Sequence, residues 1–158
     1  MKTVLKISVL IFGFMLFPTN SVAQLKTYQF EQIDRLQNIQ KRKIIVFIHT
    51  DWCKFCAAMK NTTFKNKEVI THLNNKFYFI ELNAEEKRKI IFNNSAFNFK
   101  PNGSNSGIHE LAIQLGTING TVSYPTICIL NFKNQILFQY NSFLNAKDLM
   151  KLLEKLRV

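Results

Sequence analysis

The chain has 158 residues, of which 47% are hydrophobic, and it includes 15 Phe. This length suits one domain with a substantial core, and the composition excludes a disordered or fibrous protein. Lys and Arg number 21 against 10 Asp and Glu, but the basic residues are scattered without a basic stripe or a nucleic-acid-binding motif, so we expect no nucleic-acid partner.

The N-terminal segment has the pattern of a secretory signal peptide. Two lysines precede an apolar run at residues 7–17, which is short for a membrane span. Small residues before Gln24 then offer a cleavage site. We therefore expect residues 1–23 to be a signal peptide and residues 24–158 to be one periplasmic or secreted domain without a stable membrane anchor. An uncleaved N-terminal anchor is the alternative.

Hydrophobic periodicity predicts alternating helices and strands along the mature chain. Strands that alternate with helices are typical of an α/β fold, so we predict a central mixed sheet with a closing antiparallel pair. The predicted order is a helix (28–41), a strand (44–49), a helix after the cysteine pair, a short helix (67–73), a strand (77–82), a hairpin turning at Asn93-Asn94, a loop (100–107), a helix (108–115), two strands (126–132 and 135–140) and an amphipathic helix (146–156).

The chemistry of the chain is predicted at Cys53 and Cys56, between the first strand and the next helix. Two intervening residues allow both sulfurs to share the first helical turn. The free N–H groups and partial positive charge of a helix N-terminus stabilise a thiolate. We therefore expect Cys53 to be the nucleophile of disulfide exchange, with a lowered pKa, and Cys56 to be the resolving thiol.

Three neighbours are expected to shape this site. Trp52 offers a flat apolar platform for a partner chain, and the positive charge of Lys54 should favour the thiolate further. Phe55 adds apolar bulk beside the pair. Lys54 and Phe55 are therefore candidates for tuning the thiolate.

A zinc site and a structural disulfide are weaker interpretations of the pair. Zinc needs about four ligands, and the remaining candidates, Cys128 and three histidines, lack ligand spacing. A disulfide across so short a loop would constrain the unfolded chain little. We expect no metal and no cofactor other than the redox-active disulfide.

Two further residues carry alternatives. Cys128 lies in an apolar strand and is expected to be a buried, inert thiol, with a third redox thiol as the alternative. His49 precedes Cys53 by four residues and is interpreted as an ordinary strand-end histidine. If it faced the dithiol, it could tune the thiolate or bind copper.

The segment Trp52-Cys53-Lys54-Phe55-Cys56 after an apolar strand resembles the W-C-x-x-C motif of the thioredoxin superfamily. Tyr124-Pro125-Thr126 before a strand resembles the family's cis-proline loop. Residues 51–53 and 59–64 look like the C-terminal periplasmic domain of the thiol:disulfide interchange protein. The hairpin and residues 107–112 look like secreted thioredoxin-like proteins of Bacteroidetes.

This resemblance implies a thioredoxin-like fold, with helices on both faces of the sheet and an inserted β-hairpin. It implies a cis Pro125 against the dithiol and a substrate segment paired with the backbone of Tyr124. One position departs from the family, because Phe47 stands where thioredoxins carry a buried acid six residues before the first Cys. Water or another group must then move the proton of Cys56, and the candidates are Glu81, Lys54 and Asp51.

These observations predict an extracytoplasmic thiol–disulfide oxidoreductase that reduces protein disulfides through Cys53 and Cys56. Its partners are expected to be protein disulfide or dithiol substrates and a membrane-bound electron donor. The oxidising or isomerising direction is an alternative. A copper-binding carrier and a non-catalytic thioredoxin-fold binding module are the competing functions.

Overall fold

The structure is a computed structural model that describes residues 24–104 and 106–156. The predicted signal peptide, residues 1–23, lies outside the described residues. Within them, no helix is long and apolar enough to cross a membrane. After a 3-10 turn (Phe30–Gln32), the elements are α1 (Ile33–Ile39), β1 (Lys43–His49), α2 (Lys54–Asn61), α3 (Lys67–Lys76), β2 (Phe77–Asn83), β3 (Ile90–Phe92), β4 (Ser95–Phe97), β5 (Phe99–Pro101), β6 (Gly107–His109), α4 (Glu110–Gly116), β7 (Thr117–Ile118), β8 (Thr121–Val122), β9 (Thr126–Leu130), β10 (Ile136–Tyr140) and α5 (Ala146–Lys155).

Four strands form the central sheet, in the order β10-β9-β1-β2. Strand β1 runs parallel to β2 and antiparallel to β9, and β9 is antiparallel to β10. The sheet is therefore mixed, as predicted. The two inner strands consist mainly of apolar residues because both of their faces are covered.

Alternate residues of β1 pack into two separate core clusters, because successive side chains of a strand point to opposite faces. Ile44, Val46 and Ile48 belong to a cluster with residues of α1 and α4. Ile45 and Phe47 belong to a second cluster, which contains residues of α2, α3 and α5 and both paired cysteines. Helices thus cover both faces, and the dithiol belongs to the second face.

The short hairpins around the sheet agree with prediction only in part. Strands β3 and β4 pair around Asn93 and Asn94, both with positive φ, as predicted. The expected loop at 100–107 is wrong at its ends, because β5 pairs with β6 there. The expected helix at 108–115 begins only at Glu110, since the two residues before it complete that hairpin.

A third hairpin was not predicted from the sequence. Strands β7 and β8 pair around Asn119 and Gly120, with φ angles of 51° and 78°. Asn-Gly is a strong hairpin signal, because both turn positions of a type I′ turn require positive φ. The flanking strands have only two residues each, which is too short for an alternating pattern to be visible.

Candidate active site

Cys53 and Cys56 form a disulfide at the start of α2, with their Cα atoms 5.2 Å apart. Cys53 is the N-cap residue of this helix, and the backbone N–H of Cys56 donates to Cys53 Sγ at 3.1 Å. Both cysteines are buried, with exposed fractions of 6% and 1%. The same N–H and the helix N-terminus are oriented to stabilise negative charge on Cys53 Sγ once the disulfide is reduced.

Two large apolar side chains flank the disulfide in solvent. Trp52 is 67% exposed and Phe55 is 66% exposed. Trp52 is held at one side, because Nε1 donates to Glu85 Oε1 at 3.2 Å. Lys54, between the cysteines, is exposed. Exposed apolar groups of this size beside a reactive pair suit contact with another chain.

The Tyr124–Pro125 peptide bond is cis, as the family resemblance implies. Pro125 is buried, and the next residue, Thr126, pairs with Ile48 near the end of β1. The ring of Tyr124 makes an edge contact with Trp52, with 6.0 Å between centroids. Two segments that are 72 positions apart in the chain therefore meet beside the dithiol.

A small cavity of about 110 Å³ opens beside the disulfide. It is lined by both paired cysteines, Ala57, Thr50, Asp51, His49 and Lys60. His49 therefore lies beside the dithiol, as in the alternative stated for this residue, rather than apart from it as an ordinary strand-end histidine. The available signal was the period of two in β1, which puts residue 49 on the same face as residue 47.

His49 is buried and held in a polar contact chain. Lys60 Nζ lies 3.1 Å from His49 Nε2 and 2.8 Å from Glu81 Oε2. Burial lowers the pKa of His49, the Lys60 charge lowers it further, and the Glu81 charge opposes this. The 4.0 Å separation of His49 Nε2 from Glu81 Oε2 becomes an ion pair only when the imidazole is protonated.

Phe47, at the position of the family's acid, is fully buried. Its ring packs on Phe64 and stacks on the ring of His49, with centroids 4.9 Å and 5.5 Å away. Of the three candidates for proton transfer, Asp51 lines the cavity. Glu81 reaches it through Lys60, whereas Lys54 is not among its lining residues.

The third cysteine lies on the other face of the sheet. Cys128 is fully buried within the first core cluster, and burial raises the pKa of its thiol to about 12. A thiol that does not ionise is a poor nucleophile, which agrees with the predicted inert role. The described residues contain no group of three or more His, Cys, Asp or Glu that could hold a metal ion.

The chain is similar to known proteins in family and in structure. Residues 29–157 match the thioredoxin-like domain family, and no curated protein matches the sequence. The fold is similar to that of a DsbH oxidoreductase (17% identity, TM-score 0.61, 90% of this chain and 93% of that chain). It is also similar to a thioredoxin from Thermus thermophilus (17%, 0.60, 85% and 88%) and to the structure of a complex of ferredoxin:thioredoxin reductase and thioredoxin f2 (17%, 0.52, 87% and 98%).

Proposed function

This chain belongs to the thioredoxin-like domain family and is a thiol–disulfide oxidoreductase, and from this premise we propose that it reduces protein disulfides outside the cytoplasm. The observation that carries the proposal is the Cys53–Cys56 disulfide at the N-terminus of α2, flanked by exposed apolar side chains.

In the proposed reaction, Cys53 of the reduced protein attacks one sulfur of a substrate disulfide. The substrate S–S bond breaks, one substrate sulfur leaves as a thiolate and is protonated, and a mixed disulfide forms at Cys53. Cys56 then attacks Cys53 Sγ, and the second substrate sulfur leaves with its electron pair. Two electrons have passed to the substrate, and the Cys53–Cys56 disulfide has formed.

The surroundings of the pair support an extended peptide as substrate. Trp52 and Phe55 offer apolar contact on two sides, and Tyr124 contacts Trp52. We propose that backbone groups of Tyr124, next to the cis bond of Pro125, pair with the substrate backbone, and that Lys54 favours the thiolate. The structurally similar thioredoxin f2 is described in a complex with a reductase, which supports a protein partner.

The cellular location of the protein and the direction of its disulfide exchange are proposed from the sequence. The positive start, short apolar run and small residues before Gln24 favour export. Disulfides form and persist outside the cytosol, so a reductase there needs a source of electrons. We propose a membrane-bound donor. The W-C-x-x-C motif at residues 52–56 favours the reducing direction through its resemblance to the thioredoxin motif.

The test is reduction of insulin by the purified protein with a small dithiol as electron source. We expect turnover by the unaltered protein and loss of turnover in Cys53→Ser. Cys128→Ala is the matched control, because it removes a cysteine that is buried on the other face, and it should retain turnover.

A redox titration of the pair tests the direction. A reductase is expected to have a reduction potential of about −270 mV, whereas that of an oxidase is about −120 mV. Absence of exchange in both the reducing and the oxidising assay would contradict the enzyme function.

Sequencing the N-terminus of the protein recovered from the periplasm or medium tests export, and we expect it to begin at Gln24.

A further inference from the structure

We propose that His49 accepts the proton of Cys56 in the resolving step, and that Lys60 and Glu81 are positioning residues for this transfer. The inference rests on the exchange chemistry proposed above but not on its direction, because the same proton moves in both directions.

The resolving thiol needs a route for its proton. Cys56 is only 1% exposed, and thiolate rather than thiol is the attacking species. The side chain of Phe47, on the same sheet face, is apolar and fully buried, so it accepts no proton. Water or another residue that reaches the same space must therefore take the proton.

The cavity beside the disulfide brings such a residue to Cys56. Cys56, His49 and Lys60 all line this volume of about 110 Å³, which is large enough for water. A water molecule in such a polar cavity can carry a proton between Cys56 Sγ and the imidazole.

His49 is the side chain of this cavity best suited to accept a proton. An ammonium group has only donors, so His49 Nε2 acts as the acceptor in its contact with Lys60 Nζ. Burial and the Lys60 charge lower the pKa of His49 and keep the imidazole neutral near pH 7. Asp51 also lines the cavity but is exposed, and carboxylates are in general weaker bases than imidazole.

The charged groups around His49 come from three parts of the fold. Lys60 belongs to α2, Glu81 to β2, and Asp51 to the loop after β1. After the transfer, Lys60 keeps its 2.8 Å contact with Glu81. The new imidazolium then lies 4.0 Å from Glu81 Oε2, which stabilises it. Glu81 therefore favours the protonated form, and Lys60 opposes it.

The proton of Cys56 passes through water to His49 Nε2 as the Lys60 ammonium leaves this nitrogen and stays paired with Glu81. The Cys56 thiolate then forms a bond to Cys53 Sγ. The bond between Cys53 and the substrate sulfur breaks, and its electron pair leaves with the substrate. His49 then returns the proton to the substrate thiolate or to solvent. Lys60 and Glu81 also line a second cavity, of about 580 Å³.

The experiment separates the reactions of the two cysteines in time. The reduced, purified protein is mixed with an aromatic disulfide reagent that releases a coloured thiolate. The first release reports attack by Cys53, and the second reports resolution by Cys56. Cys56→Ser should abolish only the second release. Both rates are measured from about pH 5 to about pH 9.

We expect His49→Gln to lower the ratio of the second rate to the first by at least about tenfold near neutral pH. The second rate should also lose its decline on the acid side. Glu81→Gln should move this decline to lower pH, and Lys60→Met should move it to higher pH. These two substitutions keep the test available if His49→Gln does not fold. His72→Gln, on α3 and outside the cavity lining, is the matched control.

The outcomes distinguish this inference from the proposed function. If the unaltered protein shows no first release, the exchange chemistry is wrong, and the inference falls with it. If the first release is normal and His49→Gln leaves the rate ratio and the acid-side decline unchanged, only the role of His49 is wrong. Shifts of the same sign in Glu81→Gln and Lys60→Met would also overturn it.

Discussion

At the scale of single residues, the buried side chain of His109 has a structural role. The side chain of His109 is fully buried, and it is the N-cap of α4. Its Nδ1 accepts from the N–H of Leu111 at 3.2 Å, and its Nε2 lies 3.1 Å from the carbonyl oxygen of Arg88. Only the neutral ring with a proton on Nε2 satisfies both contacts.

This arrangement predicts a loss of stability in mild acid. Burial, the largest cause, lowers the pKa of His109 below 6.5 in the folded state. The unfolded chain then binds more protons below about pH 6.5, so the free energy of unfolding falls as the pH decreases. His49 has a lowered pKa and contributes with the same sign. We expect urea unfolding to show lower stability at about pH 5.5 than at about pH 7.5.

His109→Asn isolates this contribution, because Asn is a good N-cap residue that does not titrate. The variant should lose about 1–3 kcal/mol at about pH 7.5, since the Arg88 carbonyl loses its partner. Its free energy of unfolding should also depend less on pH than that of the unaltered protein. An equal loss of stability in both proteins between the two pH values would contradict the argument.

At the scale of elements, the β5–β6 hairpin depends on a glycine at a close approach. A Cβ added at Gly107 would lie 2.4 Å from the carbonyl oxygen of Lys100 and 2.4 Å from Cζ of Phe99. Residue 107 is opposite Pro101 in the hairpin, so the clash involves backbone that is already paired. A side chain at this position is possible only if the hairpin shifts.

We therefore expect Gly107→Ala to destabilise the protein by about 1–3 kcal/mol, as overpacking of a paired segment does. Thermal or urea unfolding measures the change. Ser104→Ala, at an exposed position of the same connection, should be nearly neutral. Gly107 lies outside the cavity beside the dithiol, so the exchange activity of the folded Gly107→Ala protein should be unchanged. Equal stability of the two variants would show that the hairpin accommodates the methyl group.

At the scale of the whole molecule, positive charges outnumber negative charges, whereas the charges around the dithiol nearly cancel. The chain has 21 Lys and Arg against 10 Asp and Glu. Around the dithiol, however, Asp51, Glu81 and Glu85 offset Lys54 and Lys60. The long-range field that a substrate meets is therefore set by the rest of the basic surface.

This balance predicts that an acidic disulfide peptide is reduced faster than a basic peptide of equal length. At about 0.01 M salt the difference should reach about tenfold, because surface charges are then weakly screened. At about 1 M salt it should nearly vanish. Rates measured for both peptides across this range check the prediction. A difference that persists at high salt would indicate short-range recognition by the residues beside the dithiol.

Much of this fold is readable from local patterns. The apolar strand before Cys53, the helix after it and the Asn93-Asn94 turn are set by residues close together in the chain, and the structure confirms them. The hairpins β5–β6 and β7–β8 were missed, since strands of two or three residues carry too little periodicity. Their pairing is stabilised by neighbours elsewhere in the fold.

The sequence by itself determined the family resemblance and the dithiol at a strand-to-helix junction, because these depend on adjacent residues. Only the tertiary structure decided what surrounds that dithiol. His49, Lys60 and Glu81 come from β1, α2 and β2, and Tyr124 contacts Trp52 from the loop before β9. Such contacts depend on strand order and register, which arise from burial across the whole sheet.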